Sequence, residues 1–172
     1  MSEASARWAG VSVALLCRDT PDIVPTEWIS RLFEDVIGVG RSSDASFPGR
    51  CVPDVSGPAC PLRGLLGGLD AAREERVLVL GGRHVAPSPE LVLALLAAPD
   101  ADAVVPRSAG GVEPLCALYR RDPVRARARA RLEKEPLALS TFLGELDVWH
   151  LEGEAIDSLR TAAPSPLAPE TA

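Results

Sequence analysis

The chain has 172 residues, a formal net charge of −6 and a sequence pI of about 5.0, and 47% of its residues are hydrophobic. That length can bury one substantial core, and the acidic balance argues against nonspecific binding to nucleic acid or to an anionic membrane. The sequence has no C-x-x-C pair, no signal-peptide pattern and no apolar run long enough to span a bilayer, so we expect a cytoplasmic protein with reduced cysteines.

The first third of the chain alternates short apolar runs with helix starts. We expect residues 1–9 to be flexible and residues 11–17 and 35–40 to form buried strands. A helix is predicted from an N-cap at Thr26, because apolar residues follow at helical spacing. A short extended piece, residues 50–54, then ends on the carboxylate Asp54.

A second helix is predicted from Pro61 to about Arg73, with four leucines along one face. Its three glycines, Gly64, Gly67 and Gly68, each cost about 1 kcal/mol in a helix relative to alanine. The close approach of another helix, a strand or a ligand is the usual reason for such glycines. The start of this helix is also suited to binding an anion.

The segment from Arg76 to Glu90 is predicted to form the central strand of the fold, the loop after it and the start of the next helix. Val77 to Leu80 is an unbroken apolar run, as expected for a strand covered on both faces, and Ser88-Pro89 is a helix start. Because ligands of open α/β sheets bind beyond the carboxyl ends of the strands, the chemistry is expected in the loop 81–87. That loop offers Arg83 and His84 but no carboxylate.

The second half continues the alternation of strands and helices, which predicts a three-layer α/β/α sandwich around a mostly parallel sheet. Residues 10–160 are expected to form one domain, and the Ala- and Pro-rich residues 161–172 a disordered tail. The predicted strands are 103–106, 113–119 and 147–151; the predicted helices are 124 to about 135, capped by Asp122-Pro123, then 140–146 and 152–160.

Four local patterns, in order, resemble those of the MobA-type molybdenum cofactor guanylyltransferases and related nucleotidyltransferases. Val52-Pro53-Asp54 is similar to V-P-D, and Pro61-Leu62-Arg63-Gly64-Leu65 to the P-L-A-G-L of G-P-L-A-G-L. The strand 77–80 followed by Ser88-Pro89-Glu90-Leu91 is similar to V-L-V-L-P-C-D-M-P-F-L-x-P-E-L. Residues 102–107 with 113–119 are similar to D-A-V-V-P followed by E-P-L-x-A-L-Y.

The resemblance implies a Rossmann-like nucleotidyltransferase fold that binds GTP and Mg²⁺ at the strand ends and joins GMP to the phosphate of molybdopterin. It places nucleotide binding at Leu16, Cys17, Asp54 and Arg83. It places the acceptor substrate near His84, Glu113 and Pro114, called here the substrate-side candidates.

The sequence departs from the family pattern where the family handles phosphate and metal. Residues 15–19 stand in place of the start of the glycine-rich L-A-G-G loop, and Lys134 is the only lysine of the chain. Arg83 aligns with the metal-binding aspartate of C-D-M-P, and a guanidinium cannot ligate Mg²⁺, which needs oxygen ligands. Arg63 replaces the alanine of G-P-L-A-G-L. No residue of this chain is therefore assigned as a metal ligand.

Each candidate residue also has a plainer interpretation. Asp54 is either a nucleotide contact or a loop carboxylate before a turn. Arg83 and His84 are either a phosphate clamp that replaces the metal or loop residues free of catalytic constraint. Glu113-Pro114 either faces the substrate or forms a solvent-facing turn.

Two functional hypotheses remain open from the sequence. The first is a divergent guanylyltransferase of molybdenum cofactor maturation with weak or lost catalysis, because the amide cradle, the lysine and the metal carboxylate are missing together. The second is a non-catalytic module that binds a nucleotide, a pterin or a molybdoenzyme-maturation protein.

Overall fold

The computed structural model describes residues 8–16, 26–40, 47–57, 59–81, 87–134, 138–153 and 156. The loop 82–86, with Arg83 and His84, lies outside the described residues, as do Cys17 and the predicted tail 161–172. The strands and helices in chain order are β1 (Val11–Leu16), α1 (Thr26–Leu32), β2 (Asp35–Val39), β3 (Arg50–Val52), α2 (Pro61–Ala71), β4 (Arg76–Gly81), α3 (Pro89–Ala97), β5 (Ala103–Ser108), β6 (Gly111–Val112), β7 (Cys116–Arg120), α4 (Arg121–Leu132), α5 (Leu139–Leu143) and β8 (Val148–Leu151).

The strands pair in the order β3-β2-β1-β4-β7-β5, and both β6 and β8 also pair with β5. Strands β1 to β4 are mutually parallel, and β8 is parallel to β5. Strand β7 runs antiparallel between β4 and β5. The sheet is therefore mixed but mainly parallel, as the alternating sequence pattern predicts.

Apolar side chains alternate between the two faces of the sheet and form two cores. On β4, Val77 and Val79 belong to the core under α2, α4 and α5, called here the α2-face core. Leu78 and Leu80 belong to the core under α1 and α3, called the α3-face core. Because a strand buried on both faces needs apolar residues at every position, the unbroken run 77–80 is explained by these two layers. The predicted α/β/α sandwich is confirmed.

The glycines of α2 let this helix lie close to the sheet. A Cβ atom at Gly68 would lie 2.7 Å from the Cβ of Ala14 on β1, and one at Gly67 would lie 3.0 Å from Val39 Cγ1 on β2. Of the three partners considered from the sequence, a strand is therefore the one that Gly67 and Gly68 meet. Their helix-propensity cost is offset by the close packing of α2 on β1 and β2.

The predicted start of α4 is wrong by three residues. Helix α4 begins at Arg121, so Asp122 lies in the first turn instead of capping the helix. Pro123 is tolerated there because the first amide groups of a helix have no partner inside the helix. Along α4, Arg127 pairs with Asp102 and Arg129 with Asp70 at 2.6 Å, which ties the helix to β5 and to the end of α2.

Strand β5 continues beyond its predicted end at residue 106 and forms a short hairpin with β6. Strand β5 extends to Ser108 and pairs antiparallel with β6, in register Arg107 with Val112. The predicted helix 140–146 is observed as the shorter α5. Of the helix predicted at 152–160, the structure describes residues 152, 153 and 156, and among these only Ile156 is helical. No helix in the described part of the chain is both long and apolar enough to cross a bilayer.

Candidate nucleotide site

The candidate site lies at the carboxyl edge of the parallel strands, where the chain reverses direction across the sheet. Strands β2 and β3 extend the sheet on one side of β1, and β4 begins the other side. In such sheets ligands bind at the point where the strand order reverses, here between the ends of β1 and β4. Leu16 on β1 and Gly81 on β4 are paired directly at this point.

The side chain of Leu16 occupies the space beside the switch point on the α2 face. A Cβ atom at Gly81 would lie 2.9 Å from Leu16 Cβ, and one at Gly64 would lie 3.4 Å from Leu16 Cδ1. Leu16 thus packs between the start of α2 and the end of β4. Of the predicted nucleotide contacts, Leu16 lies at this edge, where its side chain offers a ligand only an aliphatic surface.

Asp54 follows β3 at the same edge and lies beside the end of β2. The backbone N–H of Gly40 donates to the carbonyl of Val52 at 2.9 Å, and Gly40 has φ of +77°. A Cβ atom at Gly40 would lie 3.1 Å from Asp54 Oδ1, so the β2 backbone and the carboxylate are closely apposed. A side chain at position 40 would therefore be strained by its backbone and would also crowd Asp54.

The carboxylate of Asp54 forms an ion pair with Arg63 of α2. Arg63 Nη2 donates to Asp54 Oδ2 at 2.9 Å, and Nη1 donates to the carbonyl of Gly57 at 2.5 Å. The side chains are 15% exposed for Arg63 and 26% for Asp54, so the pair is largely shielded. The sequence pattern indicates that Arg63 replaces a family alanine, but it does not indicate that Arg63 pairs with Asp54.

The position of Arg63 in the first turn of α2 explains why a carboxylate is needed beside it. A cation at a helix start is disfavoured by the helix dipole, and α2 has no acidic residue in its first turn. Its N-cap residue, Cys60, makes no side-chain capping bond. Asp54 supplies the missing negative charge and so offsets the unfavourable position of the guanidinium.

The substrate-side candidates Glu113 and Pro114 lie at the same edge but on the other half of the sheet. Four strand spacings separate β3 from β7, which corresponds to about 19 Å across the sheet. Glu113 is exposed; its backbone N–H donates to Pro106 O at 2.9 Å, and the hydroxyl of Tyr119 donates to Pro114 O at 2.7 Å. The structure thus does not bring these residues together with Asp54.

Cys116 lies at the start of β7 and is not a candidate nucleophile. The residue is 2% exposed, and burial, with a smaller contribution from the Glu113 carboxylate, raises the pKa of its thiol to about 12. A thiol with that pKa is protonated at neutral pH and unreactive. Cys116 instead packs as a small apolar side chain in the α3-face core.

The residues at Asp54 do not fit the magnesium ion that the resemblance implies. Arg63 Nη2 is within 2.9 Å of the carboxylate, and its charge repels a divalent cation. No group of three or more His, Cys, Asp or Glu side chains suited to a metal occurs among the described residues. In this arrangement the carboxylate of Asp54 is engaged by the guanidinium of Arg63 and is not available to hold a metal ion.

The strand order, the switch point and the two helical layers define a nucleotidyltransferase-type α/β/α domain with a Rossmann-like sheet. The family model described as the MobA-like NTP transferase domain matches residues 12–149. The chain therefore belongs to the MobA-like NTP transferase domain family.

Solved structures share the fold at low sequence identity. A protein of Aquifex aeolicus has a TM-score of 0.70 at 18% identity, covering 88% of this chain and 89% of that one. Molybdopterin-guanine dinucleotide biosynthesis protein A from Archaeoglobus fulgidus has a TM-score of 0.64 at 15% sequence identity, and the match covers 88% of this chain and 86% of that one. The 2-C-methyl-D-erythritol 4-phosphate cytidylyltransferase of Thermus thermophilus has a TM-score of 0.61 at 18% sequence identity, and the match covers 89% of this chain and 96% of that one. No curated protein is significantly similar to this chain.

Proposed function

We propose that this chain binds a nucleoside triphosphate at the carboxyl edge of its sheet, and that its transfer of GMP from GTP to molybdopterin is weak or lost. Membership of the MobA-like family supports the nucleotide, and the similarity to the A. fulgidus protein supports the pterin acceptor. The reduced catalysis is inferred from the residues that this chain places at the site.

The observation that carries the proposal is the ion pair of Asp54 with Arg63. Nucleotidyl transfer depends mainly on positioning the phosphates and on neutralising their developing charge with metal ions and cations. A carboxylate engaged by a guanidinium contributes little to holding a metal ion. The same guanidinium is suited to binding phosphate, so nucleotide binding is retained where metal-assisted transfer is weakened.

The side chain of Leu16 supports the same conclusion. In glycine-rich loops, the triphosphate is bound by backbone N–H groups that no side chain covers. At the end of β1 this chain instead places a leucine that fills the space between Gly64 and Gly81. A nucleotide bound here contacts an aliphatic wall on the α2 side of the switch point.

The proposal is tested by thermal unfolding of the purified chain with GTP or CTP, each with and without MgCl₂. We expect GTP at a hundred times its Kd to stabilise the protein by about 2.7 kcal/mol, a rise in Tm of roughly 5–10 °C, with little further effect of Mg²⁺. CTP is included because the T. thermophilus neighbour is a cytidylyltransferase.

Catalysis is measured separately as pyrophosphate release from GTP in the presence of molybdopterin. We expect a rate at least about a hundredfold below that of an active guanylyltransferase run in parallel, as for loss of one major charge-stabilising group. Rapid, Mg²⁺-dependent GMP transfer would overturn the loss of catalysis, and the absence of any shift with either nucleotide would overturn nucleotide binding.

A further inference from the structure

Arg63 is held at the carboxyl edge with donors to spare. A guanidinium carries five N–H donors, and the two hydrogen bonds described above, to Asp54 and Gly57, use one each on Nη2 and Nη1. Its Nε–H is buried and has no hydrogen-bond partner among the described residues. Because Nε–H is enclosed by protein, the donors left for an anionic ligand are the second N–H of Nη1 and the second N–H of Nη2.

The loop 54–57 fixes the direction of this side chain. Asp54 holds one end of the guanidinium, the Gly57 carbonyl holds the other, and Gly57 adopts φ of +135°, a conformation that side chains rarely allow. The close apposition of Gly40 and Asp54 in turn limits movement of the carboxylate. Arg63 is therefore preorganised, which lowers the entropic cost of binding a phosphate.

From this geometry we infer that Arg63 is the phosphate-binding cation of this chain, positioned by Asp54, and that it makes nucleotide binding independent of Mg²⁺. The inference rests on the proposed nucleotide-binding function. It changes the role expected for Asp54 from the family resemblance: Asp54 contacts the arginine that binds the phosphate, instead of contacting the nucleotide itself. No bond is made or broken in this step, since the guanidinium stays protonated throughout.

The test measures the Kd for GTP by calorimetry in EDTA and in MgCl₂, for the full chain and four variants. For the unchanged protein we expect the two Kd values to agree within about twofold. Arg63→Ala restores the small residue of the family motif; in EDTA it should weaken binding by about ten- to a hundredfold, the value of a charged hydrogen-bonding group. Because Asp54 no longer faces a guanidinium in this variant, Mg²⁺ should recover part of the affinity.

Two further variants separate phosphate binding from loop structure. Arg63→Lys keeps the charge but loses the planar fork, so it should bind more weakly than Arg63 and more tightly than Arg63→Ala, still without Mg²⁺. Asp54→Asn removes the positioning charge and should retain Mg²⁺-independent binding with a smaller loss, about threefold to tenfold. A loop that had simply unfolded would lose binding in all three variants, with and without Mg²⁺.

The matched control is Arg129→Ala. Arg129 pairs with Asp70 at 2.6 Å, so it also forms an ion pair with an aspartate, but at the far end of α2. We expect no change in either Kd. Circular dichroism verifies that each variant is folded. If Arg63→Ala does not fold, Arg63→Lys is used in its place to test phosphate binding.

The possible outcomes distinguish the inference from the function on which it rests. If the unchanged protein binds GTP only with Mg²⁺, or if Arg63→Ala and Arg63→Lys bind normally in EDTA, the inference is wrong while nucleotide binding stands. If the unchanged protein binds no nucleotide under either condition, the proposed function is wrong and the inference falls with it.

Discussion

At the scale of single residues, the aspartates at the two ends of the parallel strands have different roles. The side chain of Asp54, at the carboxyl edge, is 26% exposed and pairs with the guanidinium of Arg63, whereas the side chain of Asp35, at the amino edge, is 7% exposed. Asp35 lies opposite Ser12 on β1 and accepts hydrogen bonds from the Ser12 hydroxyl and Arg50 Nη2, both at 2.6 Å, and from the Arg73 amide at 3.0 Å. The buried carboxylate at the amino edge thus serves the fold.

The ionisation of Asp35 is predicted to make stability fall in acid. Burial raises the pKa of its carboxyl, but the hydrogen bonds from Ser12, Arg50 and Arg73 together lower the pKa by more than burial raises it. The net pKa is therefore below its ordinary value. A depressed folded-state pKa gives stability that is fully present above the unfolded pKa of about 3.9 and is lost as pH falls through the folded value. Urea unfolding between pH 7 and pH 3 should show this loss.

Asp35→Asn should lower the free energy of unfolding at pH 7 by about 1–3 kcal/mol, because it leaves charged and amide donors poorly satisfied. It should also flatten the decline below pH 5, although Asp102, whose pKa is also lowered, keeps part of it. The exposed Asp70 provides the control Asp70→Asn, for which we expect a change within about 0.5 kcal/mol. An Asp35→Asn protein with the acid slope of the unchanged chain would contradict this account.

The site could be predicted from the sequence only in part, for reasons visible at Asp54. The V-P-D pattern identified Asp54 because a carboxylate at a strand end is a local feature. Its pairing with Arg63 depends on the path of the loop between them, including the positive φ of Gly57, and no periodicity encodes that path. The replacement of a family alanine by Arg63 was the one available signal. Arg83 and His84, predicted as a clamp or as loop residues, stay predictions.

At the scale of elements, α2 is the helix whose packing the sequence hinted at but did not specify. Three glycines within five residues indicated a close approach, and the structure assigns them different neighbours. Gly67 and Gly68 lie against β2 and β1, whereas Gly64 faces the movable end of Leu16. The distinction could not be drawn from composition, because all three carry the same propensity cost.

Adding one methyl group to α2 is predicted to have opposite effects on stability at Gly64 and at Gly68. Gly68→Ala places a Cβ 2.7 Å from Ala14 Cβ, which cannot rotate away, so overpacking should outweigh the helix-propensity gain and destabilise by about 1–2 kcal/mol. Gly64→Ala meets Leu16 Cδ1 at an ordinary 3.4 Å and should stabilise by up to about 1 kcal/mol.

Urea unfolding at neutral pH measures both changes, and each variant is the control for the other. Their free energies of unfolding should differ by about 2 kcal/mol, with Gly64→Ala the more stable. Equal stabilisation by the two substitutions would mean that α2 does not approach β1 as closely at Gly68 as described.

Helix starts and short strands mark the limit of prediction for the other elements. The helix start predicted at Ser88-Pro89 is confirmed, because Ser88 is the N-cap of α3 and its side chain accepts a hydrogen bond from the Leu91 amide at 3.2 Å. The start of α4 was wrong because Asp122-Pro123 suits both a cap and a first turn. Strand β6 was missed because two residues are too few for a hydrophobic pattern.

At the scale of the whole molecule, the sequence predicted the layers but not the order of the strands. Alternating strands and helices are sufficient to indicate an α/β/α sandwich. The insertion of antiparallel β7 between β4 and β5 depends on long-range pairing, such as Leu78 with Leu118, that no local pattern reveals. The two cores are nonetheless inseparable, because every central strand contributes side chains to both.

That shared sheet predicts a single cooperative unfolding transition. Trp8 and Trp28 pack against the α3-face core, so tryptophan fluorescence reports mainly on that face, while circular dichroism reports on helices of both faces. Leu65→Ala, in the α2-face core, and Leu91→Ala, in the α3-face core, should each destabilise by about 2–5 kcal/mol. Leu93→Ala is the control on α3, because Leu93 is 48% exposed, and should change stability by less than about 0.5 kcal/mol.

The decisive comparison is Leu65→Ala followed by fluorescence. Although Leu65 lies on the face opposite Trp8 and Trp28, its replacement should move the fluorescence and circular dichroism midpoints in urea by the same amount. A fluorescence midpoint that stays in place while the circular dichroism midpoint falls would show that the two faces unfold separately. Coincident midpoints would mean that a cavity opened beneath α2 destabilises the whole sheet, so that a nucleotide bound at the candidate site, as proposed, would stabilise both layers together.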